Sequence, residues 1–496
     1  MTFVPNVRLV HLDLKGAPPY LSYLTSLLPL LKRWGATGIL IEYEDSFCFD
    51  QHLAFLSAPH AYDRRELKLF LEQCLISGLE VVPLVQTFGH MEFVLKHQRL
   101  KHLREHEWYP NSICPLSEES FELICQMIDQ ILDFHPNINA LHIGCDEVYQ
   151  LGVCAACRAV GLSRGRLFCD HVTRLANHIK ARRGQTFRVL IWDDMLRGLD
   201  AAEIKVSRLC EFVEPVVWYY GADAIPDVWH KFDCFPAVWA ASAFKGASGV
   251  AETTPDTALH VANHKLWLAV LEDKEDSVRW AGFILTGWSR YDHFAVLCEL
   301  LPVGIPSLAI CLHVLSNGGF NEITHPASYV SSRLLRRIFL LPVLQRPRPQ
   351  PVSESWRFVG HEIWVGAHRQ ANLYFHFRQL FFDTDCYFAL RSLAHSVFVQ
   401  LADWLTPGAE FVYRGWFHSR NVKRRFVNPG MVRQLRDRAQ DLLQEFERLS
   451  VYMSQPMQQV YPLSICEEWN QTHLTPPIEK LKKAIQKMTV VLNEKE

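Results

Sequence analysis

Up to about residue 316 the chain alternates short, continuously apolar runs with longer stretches whose apolar residues recur at intervals of three and four. That alternation predicts parallel strands joined by crossover helices. Eight strands are expected: 7–13 (VRLVHLD), 38–43 (GILIEY), 79–85 (LEVVPLV), 140–144 (ALHIG), 188–192 (RVLIW), 213–218 (VEPVVW), 235–240 (FPAVWA) and 281–286 (AGFILT). Because each run is apolar throughout, both faces of each strand should be covered. The helices carry their own end signals. Asp63 is placed to cap one that runs to about Ser77 with Leu67, Phe70, Leu71 and Cys74 on one face, and Gly78 ends it. Eight such units suit either an open doubly wound sheet or a closed barrel. Polar and aromatic residues recur at the C-terminal ends of nearly all the strands, where a barrel keeps its site, so the expected fold class is α/β, a (β/α)8 TIM barrel.

Beyond residue 317 the strand pattern fades, and RPRPQP at 346–351 reads as a linker because proline interrupts both helix and sheet. Helices follow. Val432, Leu435, Ala439, Leu442, Leu443 and Phe446 repeat at three and four, as do Ile478, Leu481, Ile485, Met488 and Leu492, with Thr475 and Pro476 starting the last helix. The expected organisation is therefore a catalytic barrel over 1–320 and a linker with a mainly helical C-terminal region over 321–496. The apolar stripes call for packing within the chain, and a homodimer is the arrangement in which they would pair protomers.

Composition narrows the classes. The 496 residues are 49% hydrophobic and 12% aromatic, enough for a large core, and the formal net charge of −2 supplies no overall field for nucleic acid or an anionic membrane. No run of about twenty apolar residues suggests a membrane span. The segment Met1–Pro18 holds Arg8, His11, Asp13 and Lys15 and lacks the apolar core of a secretory signal. With fourteen cysteines scattered through apolar stretches, reduced thiols in cytoplasm or nucleus are the expectation.

Candidate chemistry concentrates in HIGCDEV at 142–148, where an apolar strand runs through Gly144 into adjacent carboxylates, Asp146 and Glu147. At a barrel mouth, burial and mutual repulsion would raise the pKa of one of them and make it a proton donor; as ordinary loop acids they would simply cap the next helix. Trp192, Trp218, Trp239 and Trp288 fall at the ends of the fifth to eighth expected strands. Four converging indoles would form a cup for the apolar faces of a sugar ring, although any one of them is also ordinary core material.

HIGCDE resembles the histidine-glycine-aspartate-glutamate strand signature of family 20 glycoside hydrolases, with Cys145 where a second glycine is common. The blocks HLDLKGAPP (11–19), LIEYED (40–45), VPLVQTFGHMEFVLKH (82–97), WDDMLR (192–197), WAASAFKGA (239–247) and TGWSRYDH (286–293) are similar to one branch of that family. They cover the barrel almost continuously, and the likeness fades after about residue 320. The resemblance implies a retaining exo-acting β-N-acetylhexosaminidase that removes terminal β-linked N-acetylgalactosamine or N-acetylglucosamine, with the substrate's own 2-acetamido oxygen as nucleophile. It implies Glu147 as acid/base, Asp146 as the partner that orients the acetamide N–H, and Tyr220 as donor to the acetamide oxygen. It also implies His90 as support for the acid, Trp192, Trp218, Trp239 and Trp288 around the sugar, and Lys15, Glu44 and Asp193 as hydroxyl-binding or supporting groups. Those last three would serve equally as ion-pair partners at the barrel rim. WYY at 218–220 departs from the family in having Tyr219 where an aspartate often stands.

Two other classes compete. His11, Asp13, His90, His142 and Asp193 suggest a metal-dependent amidohydrolase barrel, but the first strand has His-x-Asp rather than paired histidines, and Trp288 closes the last strand where a ligand aspartate is wanted. A catalytically silent sugar- or protein-binding barrel is the second. CAAC at 154–157, with Cys169 and His171 beyond, has spacing like that of a structural zinc site, yet one CxxC is a weak signal in so cysteine-rich a chain. The expectation is an enzyme without cofactor and without catalytic metal.

Overall fold

Eight parallel strands close on themselves in a computed structural model of the chain, which describes residues 3–319, 363, 366–370 and 417–494. In chain order the strands are β1 (Arg8–Asp13), β2 (Gly38–Glu42), β3 (Glu80–Leu84), the hairpin β4 (Arg104–His106) and β5 (Tyr109–Ile113), then β6 (Ala140–His142), β7 (Arg188–Trp192), β8 (Glu214–Trp218), β9 (Val238–Lys245) and β10 (Trp280–Gly287). The barrel order is β1-β10-β9-β8-β7-β6-β3-β2, and β4 pairs only with β5, antiparallel. Asp13 pairs in register with Glu42, and Leu84 with His142, so the polar strand ends gather at one rim. The (β/α)8 barrel anticipated from the apolar runs is thus the fold.

Helices cover the outside and end where the sequence signals them. Asp63 accepts hydrogen bonds from the N–H groups of Arg65 and Glu66 at the start of Arg64–Ile76, and Gly78 follows with φ +67°. Inside, Leu9, Leu40, Val82, Leu84, Ala140, Leu190, Val216, Ala241 and Ile284 fill the barrel. Its N-terminal end is closed by Trp239, whose Nε1 donates to Glu214 Oε2 at 2.8 Å while the Arg188 guanidinium lies 4.9 Å from its ring centroid. Gly282 leaves the room this indole needs.

Strand β9 begins three residues later than expected and runs on to Lys245. Its polar residues are accommodated individually: the Ser242 hydroxyl lies 2.7 Å from His264 Nε2 on the covering helix Thr257–Asp273, and Lys245 Nζ donates to the Trp288 carbonyl. Strand β6 is shorter than expected because Gly144 and Cys145 both take left-handed backbone angles.

The chain divides into two compact units, residues 1–359 and 360–496. In the second, Asn428 caps the helix Pro429–Gln458, which packs against Thr475–Asn493. Of the expected stripes, Val432, Leu435, Ala439, Leu442, Phe446, Leu481, Met488 and Leu492 are buried, and Leu443, Ile478 and Ile485 are half-buried. The expected boundary at 320 and the proline-rich 346–351 lie outside the described residues. No described helix is long and apolar enough to cross a membrane.

A Cβ at Gly282 would stand 2.4 Å from Trp239 Cζ3 and 2.9 Å from Val7 Cβ. Gly282→Ala is therefore expected to cost about 1–3 kcal/mol of stability, seen as a lower urea midpoint with an unchanged slope. A variant as stable as the parent would contradict this packing.

Candidate active site

Two loops meet at the rim because two glycines let them. A Cβ on Gly89 would sit 1.9 Å from the Asp146 carbonyl, and one on Gly144 would sit 1.8 Å from Gln86 Oε1. This contact brings His90, after β3, against Asp146 and Glu147, after β6. Gly144, Cys145 and Glu147 have φ of +66°, +68° and +51°, and His90 has +50°. Left-handed backbone at a residue other than glycine costs on the order of 1–3 kcal/mol and persists only where its surroundings enforce it. Here Thr87 Oγ1 donates to the Ile143 carbonyl at 2.7 Å, and the Glu147 N–H donates to Asp194 Oδ2 at 2.9 Å.

His90 Nε2 lies 3.1 Å from Glu147 Oε2 and 3.4 Å from Asp146 Oδ2. Burial alone would pull this imidazole down, but the Asp146 charge and the Glu147 contact push it up to about 10. The hydrogen bond from His90 in turn lowers Glu147, which also accepts from the Tyr149 hydroxyl at 2.8 Å. Asp146 is raised, chiefly by burial. The sequence argument identified the raised carboxyl with the proton donor, and the resemblance makes Glu147 that donor. The free site is arranged differently: its proton rests on His90, Glu147 is held as carboxylate, and Asp146 is the raised group. The cause is the protonated imidazole, whose hydrogen bond outweighs burial at the partly exposed Glu147. Asp146 Oδ1 and Trp192 Nε1 are buried without a hydrogen-bond partner.

Three of the four candidate tryptophans reach this rim. Trp192 and Trp288 are 5.8 Å apart between ring centroids, Trp218 stacks on Tyr220 at 5.2 Å, and Trp288 Nε1 donates to the Tyr220 hydroxyl oxygen at 3.1 Å. Trp218 Nε1 points at Asp194 Oδ1, 3.4 Å away. Trp239 is the correction: as the second residue of β9 it closes the opposite end of the barrel and cannot line the same cup. Tyr219, the residue that departs from the family pattern, pairs its hydroxyl with Asp223.

The remaining candidates are held by charged or hydrogen-bonding neighbours. Asp193 is clamped by Arg197 through two 2.6 Å bonds, so it supports the loop and is not free for a sugar hydroxyl. Lys15 Nζ lies 3.5 Å from Glu42, 3.8 Å from Asp13 and 3.8 Å from Glu44; burial opposes its charge, but these carboxylates hold it well above the usual lysine range. Glu44 Oε2 lies 2.8 Å from His293 Nδ1.

Sequence reasoning missed Glu42, Asp194, Tyr149 and His293. Glu42 and Asp194 had a visible signal, a carboxylate at or just past a strand end in LIEYED and WDDMLR. Burial, then the Asp146 charge, pushes Asp194 up to about 7. Among the described residues the histidines of the amidohydrolase reading form no cluster of metal ligands: His11 pairs with Glu42 at 3.0 Å, and His142 Nδ1 accepts the Gly144 N–H. A surface depression of about 750 Å³ lined by Asn139, Arg182 and Arg188 lies at the N-terminal end of the strands, away from all these groups.

No protein-family model matches the chain. It is 40% identical to human hexosaminidase D over 98% of this chain and 95% of that protein, and 49% identical to the Bos taurus hexosaminidase D over 64% of this chain and 94% of that one. Among solved structures, the Flavobacterium johnsoniae chitobiase aligns with 99% of this chain and 73% of its own at a TM-score of 0.52 and 13% identity. A β-N-acetylhexosaminidase aligns with 71% of this chain and 80% of its own at a TM-score of 0.50 and 13% identity. These two likenesses are of fold. Identity sustained over nearly the full length of the human protein places the relationship beyond fold: the chain belongs to the hexosaminidase D family.

Proposed function

We propose that the chain is a retaining exo-β-N-acetylhexosaminidase that cleaves terminal β-linked N-acetylgalactosamine or N-acetylglucosamine from glycans or glycoconjugates by substrate-assisted catalysis. The observation that carries this reading is Asp146 Oδ1, a buried carboxylate oxygen without a partner, beside Glu147 and the cluster of Trp192, Trp218 and Trp288. An oxygen so placed favours an N–H donor delivered by substrate, which the 2-acetamido group supplies. Asp146 and Glu147 both approach His90 Nε2, so one imidazole orients the pair.

Chemistry follows from these positions. Glu147 protonates the glycosidic oxygen while the acetamide oxygen attacks the anomeric carbon, releasing the leaving alcohol and closing an oxazolinium ring. Asp146 accepts the acetamide N–H and stabilises the positive charge as the ring forms, and Tyr220 donates to the acetamide oxygen. Glu147, now a carboxylate, takes a proton from water as that water opens the ring, and configuration is retained.

In the free site the proton required for the first step is on His90. A sugar seated over Glu147, whose side chain is 33% exposed, removes its water, disfavours its charge and draws the proton across the 3.1 Å contact. The cytoplasm or nucleus is the proposed compartment, supported by described cysteines none of which is paired in a disulfide.

Glu147→Gln should lower kcat/KM for alkyl and sugar aglycones by about 10²–10⁴-fold and spare dinitrophenyl glycosides, whose departure needs no proton. Equal loss on both substrates would contradict the acid role. His90→Gln raises Glu147 by removing its cation, yet the pair then gives up its single proton at lower pH, because His90 held it to about 10. The alkaline limb of kcat/KM should accordingly move toward neutrality. An unmoved limb would show that His90 does not share the proton.

A further inference from the structure

CAAC at 154–157 has partners that its spacing did not reveal. Cys169 and His171, the nearest candidates downstream, point elsewhere; His171 Nε2 lies 3.1 Å from the Thr87 carbonyl. The residues that do converge on Cys154 and Cys157 come from the β4–β5 hairpin: Glu105 within β4 and Cys114 just after β5. One ligand atom from each of these four lies within 4.8 Å of every other, and Glu105, Cys114 and Cys157 are buried. Cys114 Sγ is 3.5 Å from Cys154 Sγ and 3.9 Å from Cys157 Sγ, and Cys157 Sγ is 3.4 Å from Glu105 Oε2. Two thiolates on one tetrahedral zinc at about 2.3 Å stand about 3.8 Å apart, the spacing found here, whereas a disulfide needs sulfurs about 2.05 Å apart.

The four side chains are also held in place by the backbone around them. Glu105 Oε1 accepts the N–H groups of Val153 and Cys154 at 2.7 and 3.1 Å, which leaves Oε2 directed at the sulfurs, and the Cys157 N–H donates to Cys154 Sγ at 3.3 Å. Zinc binds cysteine as thiolate, so uptake of the ion by these three clustered sulfurs would release their protons. Soft sulfur donors with one carboxylate at tetrahedral spacing select zinc over magnesium or calcium.

We infer that Glu105, Cys114, Cys154 and Cys157 bind a structural zinc ion that ties the loop following Glu147 to the hairpin behind His90. Both halves of the acid machinery hang from this point. The hairpin holds the His90 loop through Ile113 N–H to the Phe88 carbonyl at 3.2 Å and Met91 N–H to the Asn111 carbonyl at 2.9 Å. On the other side, residues 146–157 carry Asp146, Glu147 and Tyr149 in one short stretch. With four protein donors the site is closed to substrate, so its role is positional and separate from the hydrolytic chemistry.

Metal analysis of the full chain, purified without chelator, tests the proposal. The expected result is about one zinc per chain, lost in Cys154→Ser, together with a lower Tm when an organomercurial strips the ion from the parent protein. Because that variant could fail to fold, two further readouts use different protein. Cobalt substituted into the parent should give sulfur-to-cobalt charge-transfer bands and the intense visible bands of a tetrahedral site. Glu105→Gln, which keeps the thiols, should lose zinc to a chromophoric chelator more readily than the parent. Substoichiometric zinc in the parent together with cobalt spectra lacking sulfur bands would overturn the proposal, as would a Cys114–Cys154 disulfide found by mass spectrometry in freshly prepared protein.

Discussion

One imidazole shared by two neighbouring carboxyl groups imposes the geometry on which the rim of this barrel depends. His90 Nε2 lies within 3.4 Å of both Asp146 and Glu147, and holding these three groups together calls for a proton shared among them and for the two acids to be fixed relative to the imidazole. The acids come from adjacent residues, whose side chains would ordinarily diverge. Left-handed backbone at Cys145 and Glu147 turns both toward His90, and left-handed backbone at His90 returns the approach. Strain in the loops and charge in the side chains are therefore two aspects of one arrangement.

The rest of the fold keeps that arrangement rigid. Trp239, Arg188 and Glu214 pack together at the N-terminal end of the barrel, giving the strands a filled floor at the end opposite the acids. At that rim Arg197 fixes Asp193, Asp194 holds the Glu147 N–H, and Lys15 gathers Asp13, Glu42 and Glu44. These buried ion pairs add little net stability, but they specify where each carboxylate points. Asp146 Oδ1, like Glu44 Oε1, is buried there without a hydrogen-bond partner.

Much of this was legible in the sequence, for identifiable reasons. Apolar runs lacking alternation marked strands covered on both faces, and HIGCDEV marked the carboxylate pair because a strand interior does not readily hold acids. The error at Trp239 arose because FPAVWA contains no sign of where its strand starts: the apolar residues before Val238 belong to the preceding loop, so the indole belongs to the floor and not the rim. Proton location was beyond sequence, since it depends on a histidine 57 positions away lying 3.1 Å from Glu147. The same limit hid the partners of CAAC, which a hairpin supplies from 40 and 49 residues upstream of Cys154.

The most direct test of the proposed mechanism is a crystal structure of the chain with a sugar analogue whose 2-acetamido group is closed onto the anomeric carbon as a thiazoline ring. The ring nitrogen should lie about 3 Å from Asp146 Oδ1, with the ring enclosed by Trp192, Trp218 and Trp288 and Tyr220 facing the thiazoline sulfur. An analogue bound with its nitrogen in solvent, or with its anomeric carbon against an enzyme carboxylate, would contradict substrate-assisted hydrolysis at this site.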